Sequence, residues 1–172
     1  RLDAPWIRVL YTYPERIDSR LLALMANTPN IVNYLDMPIQ HIDDGVLSAM
    51  GRHATEAGIR SLLEEIASYG CFTVRTSLIC GFPGETESQH QKLLNFVREG
   101  HIHRLGAFAY SQEEGTRAAA FPCQLPEEVK ARRAEEVLLA QQQVSLRRNQ
   151  RRVGTIEQVL VDEYDDPLCL YI

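Results

Sequence analysis

"SLICGFPGET", residues 77–86, decides the fold: an apolar run ends in a loop with glycines at 81 and 84, followed by an acid and a helix start. The run completes "FTVRTSLIC" (72–80), which has the length and β-branched content of a strand. Thr86, with Gln89 three places on, makes a capping box that opens a helix over "ESQHQKLLNFVRE" (87–99). A strand that runs through a glycine turn straight into a helix is the repeating unit of a parallel α/β sheet.

The unit recurs on both sides. "WIRVLY" (6–11) reads as a strand, followed by a helix over "DSRLLALMAN" capped by Asp18 or Ser19, with Leu21, Leu22, Leu24 and Met25 as its apolar side. "IVNYLDM" (31–37) is the second strand. A short helix around Val46 to Met50 and a longer one from Thr55 to Gly70 lead into the third, and "RLGAFAY" (104–110) is the fourth. Strands joined by connections this short are parallel with right-handed crossovers, in an open doubly wound sheet or in a barrel. Four strands leave a barrel incomplete, and the chain enters its first strand almost at once, so further chain is expected before residue 1. After the loop 111–126, Pro126 starts a helix to about Gln150, with Glu127 and Glu128 at its positive end and arginines at its negative end. "VGTIEQVLVDEY" and "PLCLYI" then read as a hairpin around an Asp-Asp-Pro turn, marginal by itself and expected to belong to a larger unit.

The whole composition narrows the function classes. The 172 residues, 45% hydrophobic and 24% charged, suit one core or one domain and part of another. No apolar run approaches the roughly 20 residues of a membrane span, and the start is not laid out as a signal peptide. The four cysteines, Cys71, Cys80, Cys123 and Cys169, are far apart and form neither a zinc pattern nor a disulfide framework. A cytoplasmic location is the expectation, and no metal ligand is read from the sequence. A net charge of −5 argues against a chain that coats nucleic acid. The basic run "RRNQRR" (147–152) is a local patch, either a solvated helix end or a binding surface.

The glycine loop has three readings on residue types alone. A phosphate-binding P-loop would need GxxxxGK[ST], and Glu85 stands where a cation is wanted. A plain strand-to-helix turn would use Gly81 and Gly84 for positive φ and Pro83 for stiffness. In the third reading a small ligand lies across the carboxyl ends of the strands, where parallel sheets and barrels bind. Glycines would then let a flat heterocycle approach, and Glu85 would accept from amines or hydroxyls. Asp36, Gln40 and His41 at the close of strand two, Arg75 and Ser77 in strand three and "YSQEEGT" at the close of strand four collect on the same rim.

Four stretches, "YLDMPIQHIDDGVLSAM", "VRTSLICGFPGET", "RLGAFAYSQEEGT" and "LPEEVKARRAEEVLLAQQQVSLRRNQRRVG", resemble in order and spacing the later half of the barrel of radical S-adenosylmethionine (SAM) methylthiotransferases, with their linker helix and the start of their small TRAM β-barrel. The resemblance divides the chain into residues 1–125 (later part of the barrel), 126–151 (linker helix) and 152–172 (start of the TRAM barrel). "LYTYP", "YLDMPIQH" and "VRTS" resemble the ribosomal-protein branch, the RimO type, which acts on protein uS12. The tRNA branch tends to have "LPVQSGS" where this chain has "MPIQHID".

The resemblance implies an enzyme that uses SAM and two 4Fe-4S clusters to methylthiolate the β-carbon of an aspartate in uS12. One cluster cleaves SAM to a radical, and the other supplies sulfur. It also implies that Gly81, Gly84 and Glu85 shape the adenosine side, that Gln40, Arg75 and Ser77 serve the ribose and carboxylate, and that Tyr110 lies near the adenine. The family's CxxxCxxC motif is absent here, so no catalytic residue falls in this chain, which is expected to be an inactive part of a longer enzyme. Plainer roles stand beside these: an ion pair of Arg75 with Asp36 or Glu85, a backbone-satisfying Gln40, and a packing Tyr110. Rival functions are methylthiolation of a tRNA adenosine, a non-catalytic RNA- or ribosome-binding module working through "SLRRNQRR" and the strands after it, and a barrel enzyme using Asp36, Glu85 and His41 as acid-base groups.

Overall fold

The computed structural model describes residues 4–156 together with 164–165 and 170–171. Four parallel strands, β1 (Ile7–Val9), β2 (Ile31–Asp36), β3 (Thr73–Cys80) and β4 (Arg104–Ala109), form one sheet in the order β1-β2-β3-β4. The helices between them are α1 (Ser19–Asn27), α2 (Asp44–Ala49), α3 (Glu56–Tyr69) and α4 (Glu87–Glu99), and α5 (Glu127–Arg152) follows the sheet. This α/β alternation is the one expected. The hairpin is present as an antiparallel pair, β5 (Tyr164–Asp165) with β6 (Leu170–Tyr171). Residues 153–156 form a turn and coil instead of the expected strand start, and the rest of that strand lies outside the described residues.

Helix starts follow side-chain chemistry. Asp18 accepts from Leu21 N–H, Thr55 from Gly58 N–H, and Thr86 and Gln89 complete a capping box, so each satisfies donors that the first helical turn leaves unpaired. Leu22 and Met25 carry α1 into the core, but Leu24, expected on that side, is exposed.

Alternation along β3 separates two faces. Val74, Thr76, Leu78 and Cys80 are buried with Leu35 of β2 and with helix residues such as Ile59, Leu63, Leu93, Val97 and Val137. Thr73, Arg75, Ser77 and Ile79 point to the other face, which is half open. Register puts Asp36 beside Arg75, Gly106 beside Ser77 and Phe108 beside Ile79 on this open face. Among the described residues no helix is long and apolar enough to cross a membrane.

One polar residue in the core positions the site. Thr76 is fully buried, and its hydroxyl donates to Met37 O (2.9 Å) and accepts from Ile39 N–H (3.0 Å). Beyond β2 the chain therefore stays beside β3 although Pro38 has no N–H to offer. Gln40 N–H then donates to Ser77 O, and Ile79 N–H donates to Gln40 O.

Candidate ligand pocket and its supporting loop

At the carboxyl ends of β2, β3 and β4 lies a hollow of about 400 Å³. Met50, Ile79, Phe82 and Tyr110 give it apolar walls, while Gln40, Arg52 and Arg117 bring polar groups to it. Phe82 and Tyr110 pack edge to face with centroids 5.3 Å apart and form, with Val46, an apolar cluster separate from the main core. The Tyr110 hydroxyl is buried and has no hydrogen-bond partner among the described residues. Gln40 has φ +73°, a conformation costly for a residue with a side chain, and its two ladder bonds hold it there. Strain of this kind at the mouth of a cavity marks a position where side-chain direction matters more than backbone comfort. Flat apolar walls with polar groups at the edge suit an aromatic heterocycle.

The glycine loop forms one side of this hollow from within. Gly81 and Gly84 have φ of +76° and +80°, as a tight turn requires. Glu85 turns inward: its side chain is fully enclosed, and one carboxylate oxygen accepts from Gly81 N–H (2.8 Å) and Phe82 N–H (3.3 Å). The other takes a bond from Arg133 Nη1 of α5 (2.8 Å). Burial pushes the Glu85 carboxyl up, and the Gly81 N–H and the Arg133 and His90 charges pull it back. A carboxylate so enclosed shapes the loop. It does not reach the rim to accept from a ligand's amine or hydroxyl, as residue type alone suggested.

The sequence-derived residues thus separate into three groups. Gln40 and Tyr110 line the hollow, with Ile79 and Phe82 joining them. Arg75 and Ser77 lie further down the open face, four and two residues before Ile79, which is about 13 and 7 Å along the strand. Arg75 donates to Asp36 (2.8 Å), so of its two plainer partners Asp36 is the one it meets. Gly81 and Glu85 lie beneath the loop, and Gly84 is exposed at its tip.

Asp36, Glu85 and His41 do not form an acid-base set. Asp36 is engaged by Arg75, and His41 and Glu85, 3.8 Å apart, are both closed to solvent. His90 of α4 is also buried, with Nε2 2.6 Å from Glu136 of α5. Ile79 was discoverable, since it shares a face with Arg75 and Ser77. Arg133, Lys130 and Glu136 were not, because nothing in a helix's own sequence says which loop it covers.

His41 gives the site a pH dependence. Its Nδ1 accepts from Asp43 N–H (3.0 Å), and burial, outweighing the opposing effect of Asp43, lowers its pKa to about 4. The unfolded ring titrates near 6.5, so the folded value is the depressed one. Stability is then complete above pH 6.5 and falls as pH drops from 6.5 to 4, by about 3 kcal/mol in all. Urea midpoints at pH 7 and pH 4.5 should differ markedly less in His41→Gln than in the unchanged protein. Equal differences would refute this origin of acid sensitivity.

Comparison with known proteins fits this geometry. A sequence model of the radical SAM superfamily matches residues 3–97. The chain belongs to the radical SAM superfamily. Among curated members, it is 48% identical over 162 residues to the ribosomal protein uS12 methylthiotransferase RimO of Syntrophotalea carbinolica, and 48% identical over 165 residues to that of Geobacter sulfurreducens. Each match covers 94% of this chain and 36% of the relative, so the chain spans about a third of the length of these relatives. In fold it resembles Escherichia coli coproporphyrinogen III oxidase (HemN), a radical SAM enzyme, with a TM-score of 0.66 at 24% identity over 81% of this chain and 32% of that one.

Superfamily membership implies SAM and an iron–sulfur cluster. A cluster does not fit the described side chains: no three His, Cys, Asp or Glu converge as a metal site. Cys71 and Cys123 are exposed and Cys80 is buried, with a thiol pushed up to about 12 by burial and the nearby Glu85. Such a thiol is far from the thiolate that iron requires. Cys169 lies outside the described residues. The hollow, with its flat apolar walls and the Gln40 side chain at its edge, does fit the nucleoside part of SAM.

Proposed function

We propose that this chain is the later part of the barrel of a methylthiotransferase that modifies an aspartate of uS12, and that its hollow receives the adenosyl part of SAM. The observation that carries the reading is the hollow itself, at the strand ends, bounded by the strained Gln40 and by the rings of Phe82 and Tyr110. The names of the relatives supply the reaction and the substrate. In this reading residues 1–125 belong to the barrel, 126–151 are a linker helix, and 152–172 begin a TRAM-type β-barrel. Cysteines beyond these 172 residues hold two 4Fe-4S clusters, and the chain without them is inactive.

When bound, SAM supplies both the radical precursor and the methyl group. The chain's own residues bind and orient it. Phe82, Tyr110, Ile79 and Met50 exclude water from a heterocycle, the Gln40 amide offers polar contacts, and the Arg75 guanidinium, steadied by Asp36, suits a carboxylate. Ser77 lies on the open face between Arg75 and the hollow.

The test uses the complete gene product, reconstituted anaerobically and supplied with reductant, sulfide and SAM. Mass spectrometry of uS12 should show a methylthio group gained on an aspartate. A gain on a tRNA adenosine instead would keep the chemistry and replace the substrate. No gain on either, with both clusters assembled, would overturn the reading.

A further inference from the structure

Helix α5 lies outside the segment matched to the superfamily, yet it carries two nearly inaccessible cations against the glycine loop. Arg133 Nη1 donates to the Glu85 carboxylate (2.8 Å) and to the Glu85 main-chain oxygen (2.9 Å), and its Nη2 donates to Glu87 (3.2 Å). The second Glu85 oxygen receives the N–H groups of Gly81 and Phe82. A continuous line of charge-assisted bonds therefore runs from α5 through Glu85 to the backbone of Phe82, a wall of the hollow. One turn earlier, the Lys130 stem fills the place where a side chain on Gly81 would stand, and its Nζ lies 5.2 Å from the ring centroid of Tyr110, the wall that adjoins Phe82. The Lys130 ammonium meets Glu127 at 2.6 Å, which meets part of the cost of enclosing it.

We infer that Arg133 and Lys130 are positioning residues for the adenosyl pocket: α5 sets the shape of the glycine loop, and through it the spacing of Phe82 and Tyr110, without touching the ligand. The inference rests on the proposal that the hollow takes the adenosyl part of SAM. Neither cation lines the hollow. Their effect has to pass through Glu85, Gly81 and Tyr110.

The experiment is calorimetric titration of SAM into the complete, cluster-loaded gene product at a temperature where every variant is folded. Arg133→Met removes the bonds to Glu85 and should weaken SAM affinity on the order of tenfold or more, because a small displacement of a pocket wall by a remote change costs that much. Arg133→Lys keeps one donor and should recover part of the loss. Arg132→Met, at the neighbouring exposed arginine, should leave affinity unchanged. A merely structural role would lower the melting temperature without changing affinity in the folded state. If the unchanged protein binds SAM and Arg133→Met binds it equally well, the inference is overturned and the proposed function stands. If the unchanged protein does not bind SAM, the proposed function fails and the inference with it. Should Arg133→Met not fold, Arg133→Lys carries the test: weaker binding supports the inference and equal binding overturns it.

Discussion

Glu85→Ala lowers the unfolding free energy of this chain by about 3–5 kcal/mol, the range for removing one partner of a buried ion pair. The loss follows from what stays behind. Arg133, 4% exposed, keeps its charge with only the more exposed Glu87 carboxylate (3.2 Å) left to offset its desolvation, and the N–H groups of Gly81 and Phe82 lose their acceptor where water does not reach. The carbonyl of residue 85 still accepts from Arg133 and limits the damage. Glu85→Gln should cost less, because the amide oxygen can still take the two backbone bonds, while the amide nitrogen faces Arg133 and leaves it only the weaker pairing with Glu87 (3.2 Å). Urea titration followed by far-UV circular dichroism reads both as lowered midpoints, Ala below Gln. A loss of under about 1 kcal/mol for Ala would mean that the loop is held by something else.

The same residue shows where a sequence stops being legible. Glu85 follows a glycine loop at a strand end, and residue type alone places it with Asp36, Gln40 and Arg75 on a ligand-facing rim. Its inward turn is decided by Arg133, 48 residues on. Local chemistry was readable wherever the deciding atoms lie within a few residues, as at the caps of Asp18, Thr55 and Thr86, the positive φ of the loop glycines, and the strand and helix periods that gave the parallel sheet. Leu24 fails for the complementary reason, and the burial of His90 was hidden by it too. A helix sequence gives an apolar or polar side, but the neighbour that covers it is set by tertiary packing, here the sheet beneath α1 and Glu136 of α5 against His90. The candidate site divides along the same line. Gln40 and Tyr110 lie at the cavity because strand ends are predictable in a parallel sheet, whereas the support under the loop comes from a helix that the loop's own sequence does not mention.

Gly81→Ala tests that support directly and is expected to destabilise by about 2–5 kcal/mol, from two separate sources. One is conformational: at φ +76° an L side chain costs about 1–2 kcal/mol. The other is steric: an added Cβ would stand 2.6 Å from Lys130 Cγ, 2.9 Å from its Cβ and 3.0 Å from its Cα. A flexible side-chain end could swing away, but these are the first atoms of the residue and its backbone, so α5 itself would have to move. Overpacking of this kind costs about 1–3 kcal/mol. Gly84→Ala is the internal control. It has φ +80° and nothing within 4 Å of the added atom, so it carries the conformational cost alone. The difference between the two variants in urea midpoint, converted with a common slope, therefore measures how firmly α5 is seated on the loop. Equal losses would mean that the helix yields at no cost, and a helix that yields so easily could not hold Phe82 and Tyr110 at a fixed spacing.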